Sequence, residues 1–243
     1  MLEIIKPNWP APKNIVAFTT TRSGGVSQDA CASLNLGNRN ADSAENIAAN
    51  RKILRTEMQL PNEPYWINQT HSTIAIEIAH EYKITEADAS FTIEKNCICV
   101  VNTADCLPLL VCDRDGAAVA AIHAGWRGLL DGVIENTLEL FPQAVDKILV
   151  WLGPAIGSEV YEVGDEVRAQ FIEHDPQAEL AFKPSPNDRF LMNIYLLARQ
   201  RLAKKNITAI YGGDFCTYTQ SDQFFSHRRD SKTGRQASLI YFS

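Results

Sequence analysis

No two cysteines in this 243-residue chain form a CxxC pair; they are Cys31, Cys97, Cys99, Cys106, Cys112 and Cys216. That excludes a zinc ribbon and a thioredoxin-like redox motif. The opening Met1-Leu2-Glu3-Ile4-Ile5-Lys6-Pro7 lacks the apolar core of a signal peptide, so a cytoplasmic location is expected. Thiols stay reduced there, and the cysteines are expected to be buried free thiols or metal ligands rather than a disulfide framework. No apolar run approaches the length of a bilayer; residues 117–122 are among the longest, so no membrane partner is expected. The net charge is −6 and no basic stripe is visible, which argues against a nucleic-acid partner. Repeats, low-complexity tracts and Gly/Ser/Pro-rich linkers are also missing, so residues 1–243 read as one domain.

What the chain does contain is a set of short, well-marked periodic segments. Residues 15–21 are rich in β-branched side chains and run into the turn Ser23-Gly24-Gly25, which predicts a strand and a reversal. Over 42–58, Ile47, Leu54 and Met58 recur at helical spacing, and Asp42 with Glu45 has the form of a capping box. Segments 64–69 and 74–79 read as strands on either side of His71. The centre is strand-rich, at 97–102, 107–112 and 117–122. Leu130, Val133, Ile134 and Leu138 then predict an amphipathic helix from about Trp126, with Gly132 as its weak point. Strand 148–152 would complete a βαβ-like crossover. Helices over 163–173 and 191–204 and strands over 209–212 and 238–242 finish the pattern. The fold expected is α/β (α+β), with mixed β-sheets flanked by helices.

Three segments place reactive side chains beside glycines or strand ends: Asn68-Gln69-Thr70-His71-Ser72, Thr103-Ala104-Asp105-Cys106-Leu107-Pro108 and His123-Ala124-Gly125-Trp126-Arg127-Gly128. Rigid strand ends are common mounts for functional groups. His71, Cys106 and His123 together make a three-ligand set suited to Zn²⁺, leaving a fourth tetrahedral position open. The competing reading makes the histidines ordinary strand-end residues and Cys106 a small core hydrophobe.

These segments occur together with Thr20-Thr21-Arg22-Ser23-Gly24-Gly25-Val26-Ser27, Ser33-Leu34-Asn35-Leu36-Gly37, Trp151-Leu152-Gly153-Pro154-Ala155-Ile156-Gly157 and Phe224-Phe225-Ser226-His227-Arg228-Arg229-Asp230. As a set, from about residue 10 to the C-terminus, they resemble the laccase-domain family. It is also called polyphenol oxidase and, in bacteria, peptidoglycan editing factor. The resemblance implies a layered fold akin to cysteine-hydrolase-like toxins, with metal ligands at His71, Cys106 and His123. It implies purine nucleosides and phosphate as partners: phosphorolysis of adenosine, inosine, guanosine and methylthioadenosine, with adenosine deamination as well. The chain would act as a monomer or homodimer.

Phosphorolysis calls for guanidinium groups on the phosphate, and Arg22, Arg127 and Arg228 of the Arg228-Arg229 pair are the candidates. Deamination calls for an acid/base beside the metal, and Asp105 next to Cys106 is the choice. Asn68 and Gln69 are candidates for reading a purine edge; Trp126 could stack on a base, but packing over the helix start is the reading preferred for it. Rival readings remain. Cu²⁺ could occupy a His₂Cys set and support an oxidase side activity. Beyond His71 and His123, however, only His80, His174 and His227 are left for a multinuclear copper cluster. Cys106 with either histidine could instead form a Cys–His hydrolase or amidase acting on peptidoglycan precursors. A metal-stabilised, non-enzymatic binding module is the third alternative.

Overall fold

The structure is a computed structural model and describes residues 2–37, 42–81, 83 and 85–243. The chain begins with β1 (Ile4–Ile5) and β2 (Ile15–Thr20), passes through α1 (Ala44–Glu57), and continues into β3 (Tyr65–Trp66) and β4 (Ala75–Glu77). Next come β5 (Ala89–Thr92), β6 (Cys99–Thr103), β7 (Leu107–Asp113) and β8 (Val119–Ala124). Two short helices, α2 (Trp126–Asp131) and α3 (Val133–Leu138), lead to β9 (Ile148–Leu152). The last third holds β10 (Glu162–Gly164), α4 (Asp165–His174), β11 (Phe182–Ser185), β12 (Arg189–Met192) and α5 (Ile194–Lys204). It closes with β13 (Ile210–Gly212), α6 (His227–Asp230) and β14 (Gln236–Phe242).

Strands of period two sort these elements into layers. Leu107, Leu109 and Val111 of β7 cluster with Val133, Ile134, Leu197 and Leu202 of the helices. Their neighbours Leu110 and Cys112 cluster with Cys99, Val101 and Ile240. β7 is therefore buried on both faces, which is why its sequence is continuously apolar rather than alternating. One face meets helices, and the other meets a second sheet. A third cluster joins Val100 and Leu239 to Leu54 of α1. From one side to the other the layers are α1, a mixed sheet in the order β1-β2-β14-β6-β3, a mixed sheet in the order β13-β9-β7-β8-β5-β4, and the remaining large helices. A small antiparallel sheet, β10-β12-β11, flanks α4.

The expected mixed α/β architecture is present, with local differences. The helix anticipated from Trp126 is split at Gly132, whose φ of 105° ends α2. Arg201 from α5 donates to the freed Leu130 carbonyl there at 3.2 Å and pairs with Glu135. β8 and β9 each run antiparallel to β7, so they are parallel to one another with β7 between them. The crossover is thus real but spans an intervening strand. Ser43, not Asp42, caps α1, its hydroxyl accepting from the Asn46 amide at 3.1 Å. The Asp42 carboxylate accepts instead from Ser27 and the Asn35 side chain. The helices expected from 163 and 191 begin later, at Asp165 and Ile194, because their first residues pair in β10 and β12. All six cysteines are free. Burial pushes the Cys112 thiol up to about 12, as suits an inert core residue. Among the described residues, no helix is long and apolar enough to cross a membrane.

Candidate functional site

The β7–β8 register places Pro108 opposite His123 and Leu107 opposite Ala124, so Cys106 and His123 emerge at the same end of the six-stranded sheet. His71 comes from the loop between β3 and β4, in a left-handed conformation with φ 63°. Its Nε2 lies 3.9 Å from Cys106 Sγ. Its ring meets that of His123 edge-on, with centroids 4.8 Å apart. One ligand atom from each of the three residues lies within 4.8 Å of the other two. Gly125, directly after β8, makes this approach possible. A Cβ there would come within 2.9 Å of His71 Cδ2 and 3.2 Å of Cys106 Sγ.

Behind the three residues sits Asp88, fully buried at the head of β5. His123 Nδ1 is 2.7 Å from Asp88 Oδ1, which leaves Nε2 as the ring nitrogen available to the site. The carboxylate also accepts from the backbone amides of Thr70, His71 and Ser72 and from the Ser72 hydroxyl, at 2.6–3.1 Å. Sequence reasoning misses Asp88 because an Asp between two alanines carries no local signal. Its partners lie 16–35 residues away in the chain.

Burial alone would raise the Cys106 thiol. The charge on His123 and hydrogen bonds from His123 and His71 outweigh it and bring the thiol down to about 6. Burial equally opposes charge on His123, yet Cys106 and Asp88 hold its imidazolium up to about 9. Without a metal, Cys106 and His123 are therefore held as a thiolate–imidazolium pair near neutrality. The donor chemistry fits a metal: one thiolate and two imidazoles, one of them backed by a carboxylate, with exposed His71 leaving an open side. Such donors favour zinc or copper over magnesium or calcium.

A pocket of about 210 Å³ opens onto the triad and is also lined by Gln69, Asn102, Thr103, His227 and Arg235. Gln69, expected to read a base, uses both ends of its amide on the Asn102 backbone. Asn68 lies half-buried against Glu86 at 3.4 Å. Both oxygens of Asp105 are engaged, accepting from the Thr217 hydroxyl at 2.7 Å and the Arg228 backbone amide at 2.6 Å. This contact ties the Cys106 loop to the start of α6, where His227 and Arg228 reside.

The three arginine candidates are not among the residues that line the pocket. Burial raises the Tyr161 phenol, Cys106 and Asp105 raise it further, and Arg228 and Arg127 oppose them. Arg228 stacks on the Tyr161 ring and donates to the Glu162 carbonyl. Arg127 is exposed and lies over Trp126. Arg22 is fastened elsewhere, to the carbonyls of Ala32 and Ser221, with its guanidinium over Phe225. Tyr161 was not among the candidates; nothing around it in the sequence marks it.

Fold and site together define a mixed α/β protein with a His–Cys–His centre at a pocket mouth. Residues 16–243 match the family described as multi-copper polyphenol oxidoreductase laccase, and the chain belongs to that family. It is 46% identical over 243 residues to a Haemophilus influenzae protein named purine nucleoside phosphorylase, covering 99% of this chain and 100% of the relative. It is 47% identical to Escherichia coli purine nucleoside phosphorylase YfiH, covering 99% of each. Among solved structures it is similar to a Neisseria meningitidis protein, with a TM-score of 0.95 and 43% identity over 99% of each chain. YlmD of Geobacillus stearothermophilus matches with a TM-score of 0.89 and 27% identity, over 95% of this chain and 92% of the other. Despite the family's description, the triad is the single such cluster of His, Cys, Asp or Glu among the described residues. His80 instead lies 3.7 Å from Glu94, and His227 Nδ1 lies 2.6 Å from the Ser231 carbonyl.

Proposed function

We propose that this chain is a zinc-dependent purine nucleoside phosphorylase that converts a purine nucleoside and phosphate to the free base and ribose 1-phosphate. The observation that carries this reading is the convergence of His71, Cys106 and His123 on one pocket in a chain 46–47% identical to proteins of that name. Adenosine, inosine, guanosine and methylthioadenosine are the proposed substrates, and adenosine deamination is a proposed second activity. The protein would work in the cytoplasm as a monomer or homodimer.

His71, Cys106 and His123 would hold the ion, which supplies a Lewis acid when bound. The remaining work falls to the chain. The pocket walls around Asn102 and Thr103 enclose the purine and limit water. Arg127 and Arg228 are assigned to the phosphate, since the charge of each is felt at Tyr161, as is that of Cys106. Arg22, committed to two backbone carbonyls, is assigned to holding the 22–33 loop. Asp105 is assigned a positioning role, since its hydrogen bonds hold Thr217 and the Arg228 amide in the first turn of α6 against the Cys106 loop. His227, with Nδ1 turned to Ser231, lines the pocket and is assigned to proton transfer.

The test is purine release from adenosine with and without inorganic phosphate, in wild type and Cys106→Ala. Phosphate-dependent adenine and ribose 1-phosphate that vanish in the variant support the reading. Inosine as product moves the weight to deamination. A zinc-loaded wild type that converts no nucleoside overturns it. A second reading then leads: Cys106, 3.9 Å from His71 Nε2, as nucleophile of a Cys–His hydrolase acting on peptidoglycan precursors. Copper in place of zinc, with oxidase activity on phenols, is checked by assaying copper-loaded protein.

A further inference from the structure

The six-stranded sheet places one carboxylate between two of the proposed metal ligands. β5 lies between β8, which carries His123, and β4, which follows the His71 loop. The β5–β8 register pairs Ala89 with Ile122, so Asp88 falls opposite His123 one step further along. The Asp88 carbonyl accepts from the His123 amide at 2.7 Å, and its own amide donates to the Ile74 carbonyl at 2.9 Å. Main chain thus fixes Asp88 to both neighbours before its side chain is considered.

The side chain then makes a second set of links. Oδ1 meets His123 Nδ1 at 2.7 Å and the His71 amide at 3.0 Å. Oδ2 takes the Ser72 amide at 2.6 Å, the Ser72 hydroxyl at 2.7 Å and the Thr70 amide at 3.1 Å. Every partner is a donor, and a carboxylate is the side chain that can accept from all of them. The three consecutive amides hold the 70–72 turn, including the left-handed backbone of His71. A free loop would have to surrender that conformational entropy at each binding event.

From this geometry we propose that Asp88 is a positioning residue shared by two metal ligands, fixing the ring tautomer of His123 and the loop of His71 with one carboxylate. The inference rests on the proposed metal centre. It explains why an acidic group is buried with no Lys or Arg paired to it among the described residues: its donors are main-chain amides, a hydroxyl and an imidazole. It also assigns Ser72 a purpose, as the residue contributing two of those donors.

Asparagine at position 88 keeps the shape and replaces one acceptor by an NH₂ donor. That NH₂ must take either the Oδ2 place, against the Thr70 and Ser72 donors, or the Oδ1 place, against the His71 amide and His123 Nδ1; in the second case, if Nδ1 becomes the acceptor, Nε2 carries the proton and is closed to a metal. Zinc and cobalt affinities of wild type, Asp88→Asn and Ser72→Ala are measured by chelator competition, with circular dichroism for the fold and the thiolate-to-cobalt absorption band for Cys106. The expected result for Asp88→Asn is a folded protein whose affinity falls about 10–100-fold while the cobalt–thiolate band persists at saturation. Ser72→Ala is expected to weaken binding less, and carries the test if Asp88→Asn does not fold. Wild-type affinity in a folded Asp88→Asn, or in Ser72→Ala where only that variant folds, overturns the role of Asp88 alone. A wild-type chain that takes up neither metal overturns the metal centre together with it.

Discussion

Gln69 holds the backbone of Asn102 by both ends of its amide, accepting from the Asn102 amide at 2.7 Å and donating to the Asn102 carbonyl at 2.8 Å. β3 pairs with β6 only as far as Trp66 and Val100, and Gln69 then serves in place of the departed strand. The pocket wall at Asn102 is therefore held by a side chain. Gln69→Leu leaves a main-chain donor and acceptor without partners. A loss of about 2 kcal/mol is expected, read as a lower denaturation midpoint with unchanged m-value.

Gly125→Ala tests the space at the triad. The backbone there, at φ −66°, tolerates alanine, so the metal-free variant is expected to melt close to wild type. The added methyl presses on His71 and Cys106, and bound metal per chain, measured by elemental analysis, is expected to fall.

The ionisation of the triad sets a pH window. Cys106 is lowered to about 6 and His123 is raised to about 9 in the metal-free chain. The thiolate's stabilisation is full above the ordinary thiol value of ~8.5 and is lost as pH falls through about 6; that of the His123 charge is full below ~6.5 and is lost as pH rises through about 9. In chelator-treated protein, iodoacetamide is expected to label Cys106 with a midpoint near pH 6. Zinc should protect it. A midpoint at the ordinary thiol value would contradict the ion pair.

The arginines are expected to separate in steady-state kinetics. Arg228→Ala or Arg127→Ala should raise KM for phosphate about tenfold or more and leave KM for the nucleoside nearly unchanged. Arg22→Ala should lower thermal stability without that selective effect. Equal behaviour of all three would remove the phosphate assignment.

Much of the architecture was legible because it depends on local period. The two-faced apolar run of β7, the spacing of Ile47 and Leu54 in α1, and the break at Gly132 are properties of neighbouring residues. β5 and the β10-β12-β11 sheet were not legible. β5 has four residues, all buried, with no alternation to mark it, and β11 carries Lys183 and Pro184 in an exposed stretch. The 42–45 capping box gave way to Ser43 because the Asp42 carboxylate finds Ser27 and Asn35, contacts that the local pattern does not contain.

At the site the division is the same. The sequence alone singled out His71, Cys106 and His123, because a reactive side chain beside a glycine or strand end is a local feature and the motifs around it carry the family resemblance. Which groups support them was decided by tertiary structure. Gln69 and Asp105, read from sequence as chemistry, spend their polar atoms on backbone and loop contacts, while Asp88, unmarked in sequence, stands beside the triad. The physical reason is range. A hydrogen bond between residues 35 positions apart, such as His123 to Asp88, exists only once β5 has paired with β8, and no local pattern encodes that pairing.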